Sequence, residues 1–578
     1  MGKTKEQNVP ICERCSLYEN EEYGPINSKQ GDVSRDEDLK EIVVIGAGPH
    51  SLSLILRLLQ PNADLMSEKE RHYKAEHHSK KLRPTPAVRR YVRDLTRGTA
   101  TVLKKKGPKI IYSKDNPPPI DLIRLRKSTL IIDKSMPASE NDSGWLSHWN
   151  YNFDAIQIPY LRSPTTAHMD PFDHRTLDVY ADFVKRQEDL ISLKYLQQRD
   201  VEFHGPYQAP STSLFKDFHS TLAKAYGIDD MVESSTEVES IIPQSGLERS
   251  DQEPYFTVLV RRVKESTEGN EVKIGDVIRV KAKRVVCAMG PMFKKGSEFW
   301  EIPLPSICRP RILHCDEIVP WIHSHRKHHA MSGNHEGDIS NLLVVGGGIT
   351  STHLALLAAR TPWCKSVTVI HRSRIKERQF DIESKWMGPK RGRLLDDFWS
   401  RDSPSRVQFL KEARDGGSIP PELVQKLLQT AEDSLGRVQV KQEVQISNVD
   451  WTGDQFRVQL DDGSSEICFD MIWMATGADN DIDLYAPLEQ VRKELPVDVA
   501  GGLPVLDSNL AWKRPSSIDE DSEGRWKGIL RHRLHVMGCL AGLQLGPDAL
   551  NVIGARHGSV RVAKALRLAM CDENEIQI

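Results

Sequence analysis

The chain lacks an excess of charge of either sign. Its 79 Lys and Arg residues are balanced by 81 Asp and Glu residues, which leaves a formal net charge of −2 over 578 residues. Without a global field, the protein has no sequence-wide attraction for nucleic acid or for a membrane surface. We therefore expect no nucleic-acid partner.

The chain also lacks a long uninterrupted apolar run. Its longest apolar stretches, near residues 42–59 and 534–550, are broken by His, Arg, Gly or Pro, so no integral membrane span is predicted. Residues 1–40 are polar, carry both charge signs and have no apolar signal core. This composition predicts a flexible N-terminal tail and not a secretory peptide.

Cysteine is sparse and scattered. The chain has nine cysteines and no secretion signal, which predicts a reducing, cytoplasmic location. Cys12 and Cys15 are the only close pair, and no further ligands stand at zinc-site spacing, so no metal site is predicted. The two glycine-rich segments of the chain contain no CxxC motif, which disfavours a thiol–disulfide reductase.

Two glycine-rich turns are the most informative feature that the chain does have. Each follows an apolar strand-like run and opens an apolar helix, which is the context of a dinucleotide-binding turn. The first glycine permits a tight turn, the second lets the backbone approach a pyrophosphate, and a small third residue lets helix and strand pack. The helix N-terminus then binds phosphate through its unpaired N–H groups. The positions assigned to cofactor binding are Gly46, Gly48, Pro49, His50 and Ser51 in the first turn and Gly346, Gly348, Thr350 and Ser351 in the second.

Two such turns predict an α/β protein with two Rossmann-like, three-layer ββα domains, each binding one dinucleotide. Each domain has an exit strand that ends in small residues, at 284–290 and at 471–477, and a later strand ending at Gly538 returns the chain to the first domain. Ala475, Thr476, Gly477 and Gly538 are assigned to cofactor binding. The predicted parts are a tail at 1–40, a discontinuous first domain at 41–335 and 481–570, and a second domain inserted at 341–480.

An acid at the tip of the second strand should bind the ribose of the first dinucleotide. Glu68 and Glu70 stand about 20 residues after the turn, as the motif requires, but their segment lacks a β-branched apolar run. The run from Ser128 to Ile132 is apolar and β-branched, and it ends at Asp133. We therefore assign Asp133 to ribose binding and interpret residues 61–127 as an insertion.

Two polar segments separate the predicted elements. The insertion carries 18 Lys and Arg residues against 7 Asp and Glu residues, and either a solvated basic loop or a surface that attracts an anionic cofactor, substrate or partner is compatible with it. Residues 323–335 contain five histidines in a polar context without apolar periodicity. This pattern predicts a mobile linker ahead of the second turn and not a metal cluster.

The second dinucleotide site has no carboxylate at the tip of its ribose strand. The strand at 366–370 is followed by His371, Arg372, Ser373 and Arg374. Arginines attract a 2′-phosphate, which a carboxylate would repel. We therefore assign NADPH to the second site, with Arg372 and Arg374 as ligands, and FAD to the first, and we expect the two sites to face each other across a cleft for hydride transfer.

These features together resemble the single-component flavin monooxygenases with two dinucleotide-binding domains, and within them the lysine/ornithine N-monooxygenase group. The resemblance extends over about residues 42–560. It departs from the group in the basic insertion, in Met289, and in Arg162, where the group usually has Lys. The features that carry it are the Gly46 turn with Leu52-Ser53-Leu54, the Trp-containing segment at 144–149, Leu161-Arg162 before Asp170-Pro171, the Gly346 turn, and Ala475-Thr476-Gly477.

The resemblance implies that NADPH reduces FAD, that O2 adds at flavin C4a, and that the hydroperoxide so formed hydroxylates an amine. It implies two catalytic candidates, Arg162 and Asn551. Arg162 would contact the cofactor or an anionic substrate group on the flavin side. Residues Pro547 to Asn551 would bring a helix start toward the flavin ring. Trp145, His148 and Trp149 would cover the flavin or its pyrophosphate, although both Trp residues could equally be core aromatics.

Two other functions stay open at the level of sequence. One is a flavin NAD(P)H oxidase or reductase that never hydroxylates, and the other is a non-catalytic, redox-sensing flavoprotein. No residue identifies the substrate beyond a small molecule used with O2, and a homo-oligomer is compatible with the sequence.

Overall fold

The computed structural model describes residues 39–60, 84–97, 117–137, 142–194, 207–246, 253–265, 271–292, 304–332, 339–387, 391–414, 416–463, 466–519 and 523–576. The predictions for the 1–38 portion of the tail, the Cys12/Cys15 pair, Glu68 and Glu70 lie outside these ranges.

Strands and helices alternate along much of the described chain. The strands are β1 Lys40–Ile45, β2 Thr129–Ile132, β3 Leu190–Ser192, β4 Gln208–Pro210, β5 Val232–Glu233, β6 Thr236–Gln244, β7 Tyr255–Glu265, β8 Glu271–Cys287, β9 Ile312–His314, β10 Ile339–Val345, β11 Cys364–His371, β12 Val438–Gln442, β13 Ile446–Trp451, β14 Phe456–Leu460, β15 Ile467–Phe469, β16 Met471–Met474, β17 Val499–Ala500, β18 Leu503–Pro504 and β19 Leu534–Val536. The α-helices are α1 Pro49–Leu59, α2 Pro86–Thr96, α3 Leu122–Ser128, α4 Ser147–Ile156, α5 Thr176–Phe183, α6 Thr212–Tyr226, α7 Cys315–Ser332, α8 Ile349–Arg360, α9 Arg391–Trp399, α10 Ser403–Arg414, α11 Pro421–Asp433, α12 Glu489–Glu494, α13 Arg525–Arg533, α14 Gly542–Leu545 and α15 Val552–Ile576.

The first glycine-rich turn follows strand β1 of the first sheet. The order of this sheet is β5-β2-β1-β8-β7-β6, and β19 pairs with β8. Strand β2 lies beside β1 in parallel, with Ile45 opposite Ile132. The prediction that the second strand ends next to Asp133, after an insertion, is therefore confirmed. Strands β6, β7 and β8 pair antiparallel and extend the same sheet as a meander.

The described part of the insertion is more than a basic loop. Helix α2 begins after Thr85, whose side chain accepts a hydrogen bond from the Val88 N–H, and it buries Tyr91, Val92 and Leu95 in the first core. Apolar residues three and four positions apart share one face of a helix. The basic residues therefore accompany a segment that is anchored by its own apolar face.

The second sheet has the order β12-β11-β10-β16-β9 and is parallel throughout. Successive side chains of β10 point to opposite faces of the sheet. Leu342 and Val344 pack with helices such as α8, whereas Leu343 and Val345 pack with the antiparallel sheet β13-β14-β15. The part of the chain built around this sheet is called the second unit, and the part built around the first sheet is called the first unit. The second unit is thus a parallel sheet between helices and a second, antiparallel sheet.

The polar segment before the second turn is helical. Helix α7 covers Cys315–Ser332, so the prediction of a mobile linker over 323–335 is wrong for residues 323–332. Ile318, Val319 and Ile322 of this helix are buried in the second core. These apolar residues precede the histidine-rich part, so the histidines taken alone concealed the amphipathic pattern. Strand β9, at Ile312–His314, also belongs to the second sheet, ahead of the predicted start of that domain at 341.

The chain returns to the first unit after the second. Strand β19 pairs in parallel with β8, with Val536 opposite Cys287. Helix α15 then packs against α1, where Arg57 Nε donates to Ser559 Oγ at 3.1 Å. Helix α1 is buried along its whole length, as expected for a helix held between a sheet and another helix. The predicted second passage through the first sheet is confirmed.

Candidate functional site

The first glycine-rich turn has the geometry that its sequence predicts. Gly46 has a φ of +97°, and a Cβ there would lie 2.7 Å from the Ala288 carbonyl oxygen at the end of the exit strand. Its N–H donates to the Ile132 carbonyl at 2.7 Å. At Gly48, by contrast, a Cβ would meet no atom within 4 Å. Gly46 is therefore fixed by neighbouring backbone, while the side of Gly48 that lacks a side chain is open for a phosphate to approach.

Asp133 lies against this turn. Its Oδ2 accepts a hydrogen bond from the Ala47 N–H at 2.5 Å, and its Oδ1 accepts one from the Ser135 N–H at 2.7 Å. A carboxylate held by backbone N–H groups is fixed in position and keeps lone pairs for a ligand hydroxyl. The structure thus brings the predicted ribose ligand to the predicted turn, 86 residues away along the chain.

The remaining residues of the first turn begin helix α1. Pro49 occupies the first helical position, where its missing N–H costs no hydrogen bond. Ser51 is fully buried, and its hydroxyl donates to the Gly46 carbonyl. His50 is buried beside Gly538, and its Nδ1 has no hydrogen-bond partner in the described residues. Burial lowers the pKa of His50 to about 4, so the ring is neutral at pH 7.

The Trp-containing segment contacts the first turn through its backbone. The Leu146 N–H donates to the Ala47 carbonyl at 3.0 Å. Trp145 is a buried core residue whose Nε1 donates to the Ile228 carbonyl at 2.8 Å. Trp149 is half-buried and stacks with Phe215 at 6.3 Å between ring centroids. His148 is exposed at the start of α4. Of the two interpretations of the tryptophans, the core role holds for Trp145.

The second glycine-rich turn repeats the backbone of the first. Gly346 has a φ of +154°, and a Cβ there would lie 2.1 Å from the Ala475 carbonyl oxygen. Its N–H donates to the Ile370 carbonyl at 3.1 Å. Ser351 is fully buried and donates from its hydroxyl to the Gly348 carbonyl at 2.7 Å, while Thr350 is half-buried on the same first turn of helix α8.

The end of strand β11 carries the two predicted arginines and one further candidate ligand, a histidine. Arg372 and Arg374 are exposed there, and Arg374 Nε lies 3.0 Å from a carboxylate oxygen of Glu443. His371, which was not predicted as a ligand, is 1% exposed and sits beside Gly347. Neither ring nitrogen has a hydrogen-bond partner within the described part of the chain, and burial lowers the pKa of the ring to about 4. An unpaired polar ring next to the glycine-rich turn is a candidate ligand, which its position at the end of a buried strand could have indicated.

Arg162 lies between the two units. Its Nε and Nη2 donate to the carbonyls of Gln379 and Arg378 at 3.0 and 3.1 Å. Its Nη2 and Nη1 also donate to the Ser418 hydroxyl at 3.0 Å and to the Ser418 carbonyl at 3.4 Å. Burial lowers its pKa to about 10, so it stays protonated at pH 7. Each guanidinium nitrogen donates to protein, and the contact with a cofactor or an anionic substrate group stays a prediction.

Residues Pro547 to Asn551 form a turn, and the helix predicted to start at Pro547 starts at Val552 instead. The Asn551 side-chain oxygen accepts from the N–H groups of Ile553 and Gly554 at 3.0 and 3.1 Å, which caps α15. The carbonyl of Pro547 accepts a hydrogen bond from Arg414 at 3.3 Å. The catalytic role of Asn551 stays a prediction, while its capping role is visible.

A buried ion pair secures the same turn. Arg391 donates from Nε and Nη2 to the two carboxylate oxygens of Asp548, both at 2.9 Å, and the side chains are 2% and 0% exposed. Arg391 also donates to the Leu545 carbonyl at 3.0 Å. A bidentate pair of this kind is geometrically specific, and neither partner tolerates loss of the other. The pair joins helix α9, which lies between strands of the second sheet in the chain, to the first unit.

The small-residue exits lie beside their respective turns. The Ala475 N–H donates to the Val345 carbonyl at 2.8 Å, and Thr476 and Gly477 are exposed beyond it. Gly538 follows β19 with a φ of +81°. In the described ranges no group of three or more His, Cys, Asp or Glu residues is placed to hold a metal ion. No described helix has both the length and the apolar composition needed to cross a lipid bilayer.

Comparison with known proteins gives structural neighbours only. No protein-family model and no curated protein sequence matches the chain. The structure is similar to that of the ornithine N-hydroxylase KtzI of Kutzneria sp. 744, solved with reduced FAD, NADP⁺ and L-ornithine, at 12% identity and a TM-score of 0.57, covering 92% of this chain and 100% of that one.

Two further structures give the same result. The reduced form of the ornithine hydroxylase PvdA from Pseudomonas aeruginosa is 12% identical with a TM-score of 0.56 and coverages of 92% and 100%. L-lysine 6-monooxygenase from Pseudomonas syringae is 16% identical with a TM-score of 0.51 and coverages of 93% and 100%. At these identities the likeness shows the fold. The predicted α/β fold, shared with the flavin monooxygenases that the sequence resembles, is confirmed.

Proposed function

We propose that this chain is an NADPH-dependent flavin monooxygenase that binds FAD at the first glycine-rich turn and NADPH at the second, and hydroxylates a primary amine. One observation carries the proposal: two separate sheets, the first mixed and the second parallel, each present a glycine turn packed on the carbonyl of its own exit strand, Ala288 or Ala475. Paired dinucleotide sites of this kind suit hydride transfer between two cofactors. The fold neighbours that hydroxylate ornithine or lysine support the choice of amine substrates of that class.

The residues of the first turn fit FAD. The open side of Gly48 and the N-terminus of helix α1 can receive a pyrophosphate, because the first N–H groups of a helix have no partners within it. Asp133 is held within reach of the same turn and can accept from a ribose hydroxyl. The neutral ring of His50 adds no charge that would favour one protonation state of the flavin at pH 7.

The residues of the second turn fit NADPH. Helix α8 offers its N-terminus, and the adjoining strand end offers two exposed arginines and no carboxylate, which suits a 2′-phosphate. When bound, the nicotinamide would supply hydride to the flavin, and the reduced flavin would activate O2. The protein itself would bind and orient both cofactors and exclude water.

Two contacts within the protein would set the geometry between the two cofactor sites. The Arg391–Asp548 pair fixes the Pro547–Asn551 turn, and Arg162 fixes residues 378–379 and 418 against the first unit. The ion pair is buried, Arg162 is half-buried, and both contacts are multidentate, which restricts movement more than a single exposed hydrogen bond would. We infer that Arg162 is a positioning residue, in place of the catalytic role that the resemblance implies.

The proposal is tested by product analysis. The purified protein should be yellow, and mass spectrometry of the released cofactor should identify FAD. NADPH consumption in air should rise when ornithine, lysine or a diamine is added, and the amine should gain one oxygen atom. A protein that cannot take up FAD on reconstitution would contradict the whole proposal.

The alternatives give different results in the same assays. Consumption of NADPH that yields only hydrogen peroxide with every amine and sulfide tested would favour an oxidase or reductase. Failure of NADPH to reduce the bound flavin in anaerobic stopped-flow would favour a non-catalytic redox sensor. A reaction without amine, with catalase to remove peroxide, is the matched control. We also propose a cytoplasmic location, in keeping with a reducing environment for the cysteines.

A further inference from the structure

The second glycine of the first turn, Gly48, and that of the second turn, Gly348, have different surroundings. A Cβ on Gly48 would meet nothing within 4 Å, whereas one on Gly348 would lie 3.7 Å from the Cα atom of Gly417. In the other direction the contact is closer. A Cβ on Gly417 would lie 2.7 Å from Gly348 Cα and 2.8 Å from both the carbonyl carbon and the oxygen of Gly347. The chain at residue 417 therefore packs directly on the backbone of the second turn.

This contact lies where a nucleotide would approach. The second glycine of such a turn lacks a side chain so that a pyrophosphate can come close to the backbone and the helix N-terminus. A phosphate group is larger than a methyl group. The side of Gly348 that should receive it is occupied by Gly417, whereas the corresponding side of Gly48 is clear.

The loop that carries Gly417 is fastened at its C-terminal side. The Ile419 N–H donates to the Lys376 carbonyl at 2.9 Å, and the Arg378 N–H donates to the Ile419 carbonyl at 3.0 Å. The Ser418 hydroxyl contacts both Arg162 and the Phe380 carbonyl, at 3.0 and 3.2 Å. Each of these bonds joins the loop to the segment that follows strand β11 or to Arg162.

Arg162 brings the first unit into this arrangement. The N–H of its neighbour Leu161 donates to the Pro210 carbonyl at 3.0 Å, within the segment that leads into helix α6 of the first core. The Gln379 amide donates back to the Arg162 carbonyl at 2.9 Å. The loop over the second turn is thus tied to the first unit through one half-buried side chain.

We propose that residues 416–419 form a cover over the second dinucleotide-binding turn, that Arg162 latches it, and that the cover moves away when NADPH binds. The inference rests on the proposed function, since it concerns access to the NADPH site. A ligand that needs a minor open state binds with an affinity reduced by the fraction of open molecules. Weakening the latch should therefore raise the apparent affinity and the association rate.

Two variants weaken the cover by independent routes. Arg162→Gln removes the donors to Ser418, and Gly417→Ala places a Cβ where it collides with Gly347 and Gly348. Gly528→Ala is the control, because a Cβ at Gly528 meets nothing within 4 Å. Association of NADP⁺ with the oxidised flavoprotein is followed by stopped-flow, and FAD content and melting temperature verify folding. We expect both variants to bind NADP⁺ about tenfold faster and the control to match the parent protein.

Hydrogen exchange on the unsubstituted protein gives a second readout, which does not depend on how any variant folds. NADP⁺ should accelerate exchange of the Ile419 and Arg378 amides, whose bonds close the loop. Unchanged or slower exchange of these amides on saturation with NADP⁺, or unchanged or slower association in both variants, would overturn the cover while leaving the proposed function intact. If NADP⁺ binds neither the parent nor the two variants, the NADPH assignment fails together with the cover.

Discussion

The two glycine-rich turns of this protein share one backbone design and differ in what surrounds it. In both, the first glycine adopts a positive φ and packs on the carbonyl of an exit strand. At the first turn a carboxylate accepts from the turn backbone, and the side of Gly48 that lacks a side chain is open. At the second turn a buried imidazole without a hydrogen-bond partner in the described residues lies beside Gly347, and Gly417 packs on Gly348. The glycine motif determines the backbone of each turn, while the residues packed around it determine the charge beside the turn and the space in front of it.

The largest effects should come from the first glycine of each turn. Gly46→Ala should abolish FAD retention, and Gly346→Ala should abolish NADP⁺ binding while FAD stays bound, because each Cβ collides with a backbone carbonyl at a positive φ. We expect each to lower the free energy of unfolding by about 1–3 kcal/mol, measured by denaturant titration alongside cofactor content. Gly453→Ala is the control, with a φ of +109° but no atom within 4 Å of its Cβ. The assignment of the two cofactors breaks if the losses are exchanged between the variants.

Asp133→Asn should weaken FAD binding by roughly tenfold, because it replaces a charged hydrogen-bond acceptor by a neutral one. Binding of NADP⁺ should not change. Fluorescence titration of the apoprotein with FAD measures the effect. An unaltered FAD affinity would mean that the carboxylate orders only the protein turn and does not contact the ribose.

A further prediction concerns the two arginines that follow strand β11, beside the second turn. Arg372→Ala combined with Arg374→Ala should weaken NADPH by about fivefold, since exposed charge pairs are worth about 1 kcal/mol or less, and should leave NADH unaffected. Glu443→Gln, which frees Arg374 from its ion pair, should act in the opposite direction. Binding constants for both nucleotides on the oxidised protein separate these outcomes, and equal losses for NADPH and NADH would contradict a 2′-phosphate contact.

The last effect is confined to acid pH and concerns stability. His371 has a folded pKa of about 4, below its ordinary value, so the unfolded chain binds a proton first as the pH falls and the native state loses stability. The loss begins below about pH 6.5 and grows toward pH 4. His371→Gln should narrow the difference in unfolding free energy between pH 7 and pH 5 by about 1–2 kcal/mol. Denaturant titrations at the two pH values test this, and an unchanged difference would place the ring in contact with water.

Much of the first site follows from local sequence rules. Gly46, Gly48 and Ser51 occur at fixed spacing between a strand and a helix, and steric demands on such a turn are the same in any protein. Asp133 could be found because a buried parallel strand requires a continuous apolar run, and the run at 129–132 is the one that ends in an acid. These predictions needed no knowledge of which residues meet across the fold.

Three features of the structure were not predicted from the sequence, and the catalytic roles of Arg162 and Asn551 stay predictions. Arg162 has a guanidinium bound to residues 216 to 256 positions away, and no local pattern reports that contact. The histidine-rich segment at 323–332 is polar when read alone, but it continues a helix whose apolar part begins earlier. Asn551 was assigned from resemblance, whereas the structure shows an N-cap that its position before an apolar helix could have indicated.

The sequence by itself determined the two glycine-rich turns, the strands that carry them and the return of the chain to its first sheet, because these depend on periodicity, glycine sterics and turn chemistry within short segments. Only the tertiary structure decided that Gly417 lies on the second turn, that His371 is buried beside that turn and that Arg162 ties the loop of Gly417 to the first unit. Contacts between residues far apart in the chain depend on how complete elements pack, and no short segment specifies that packing.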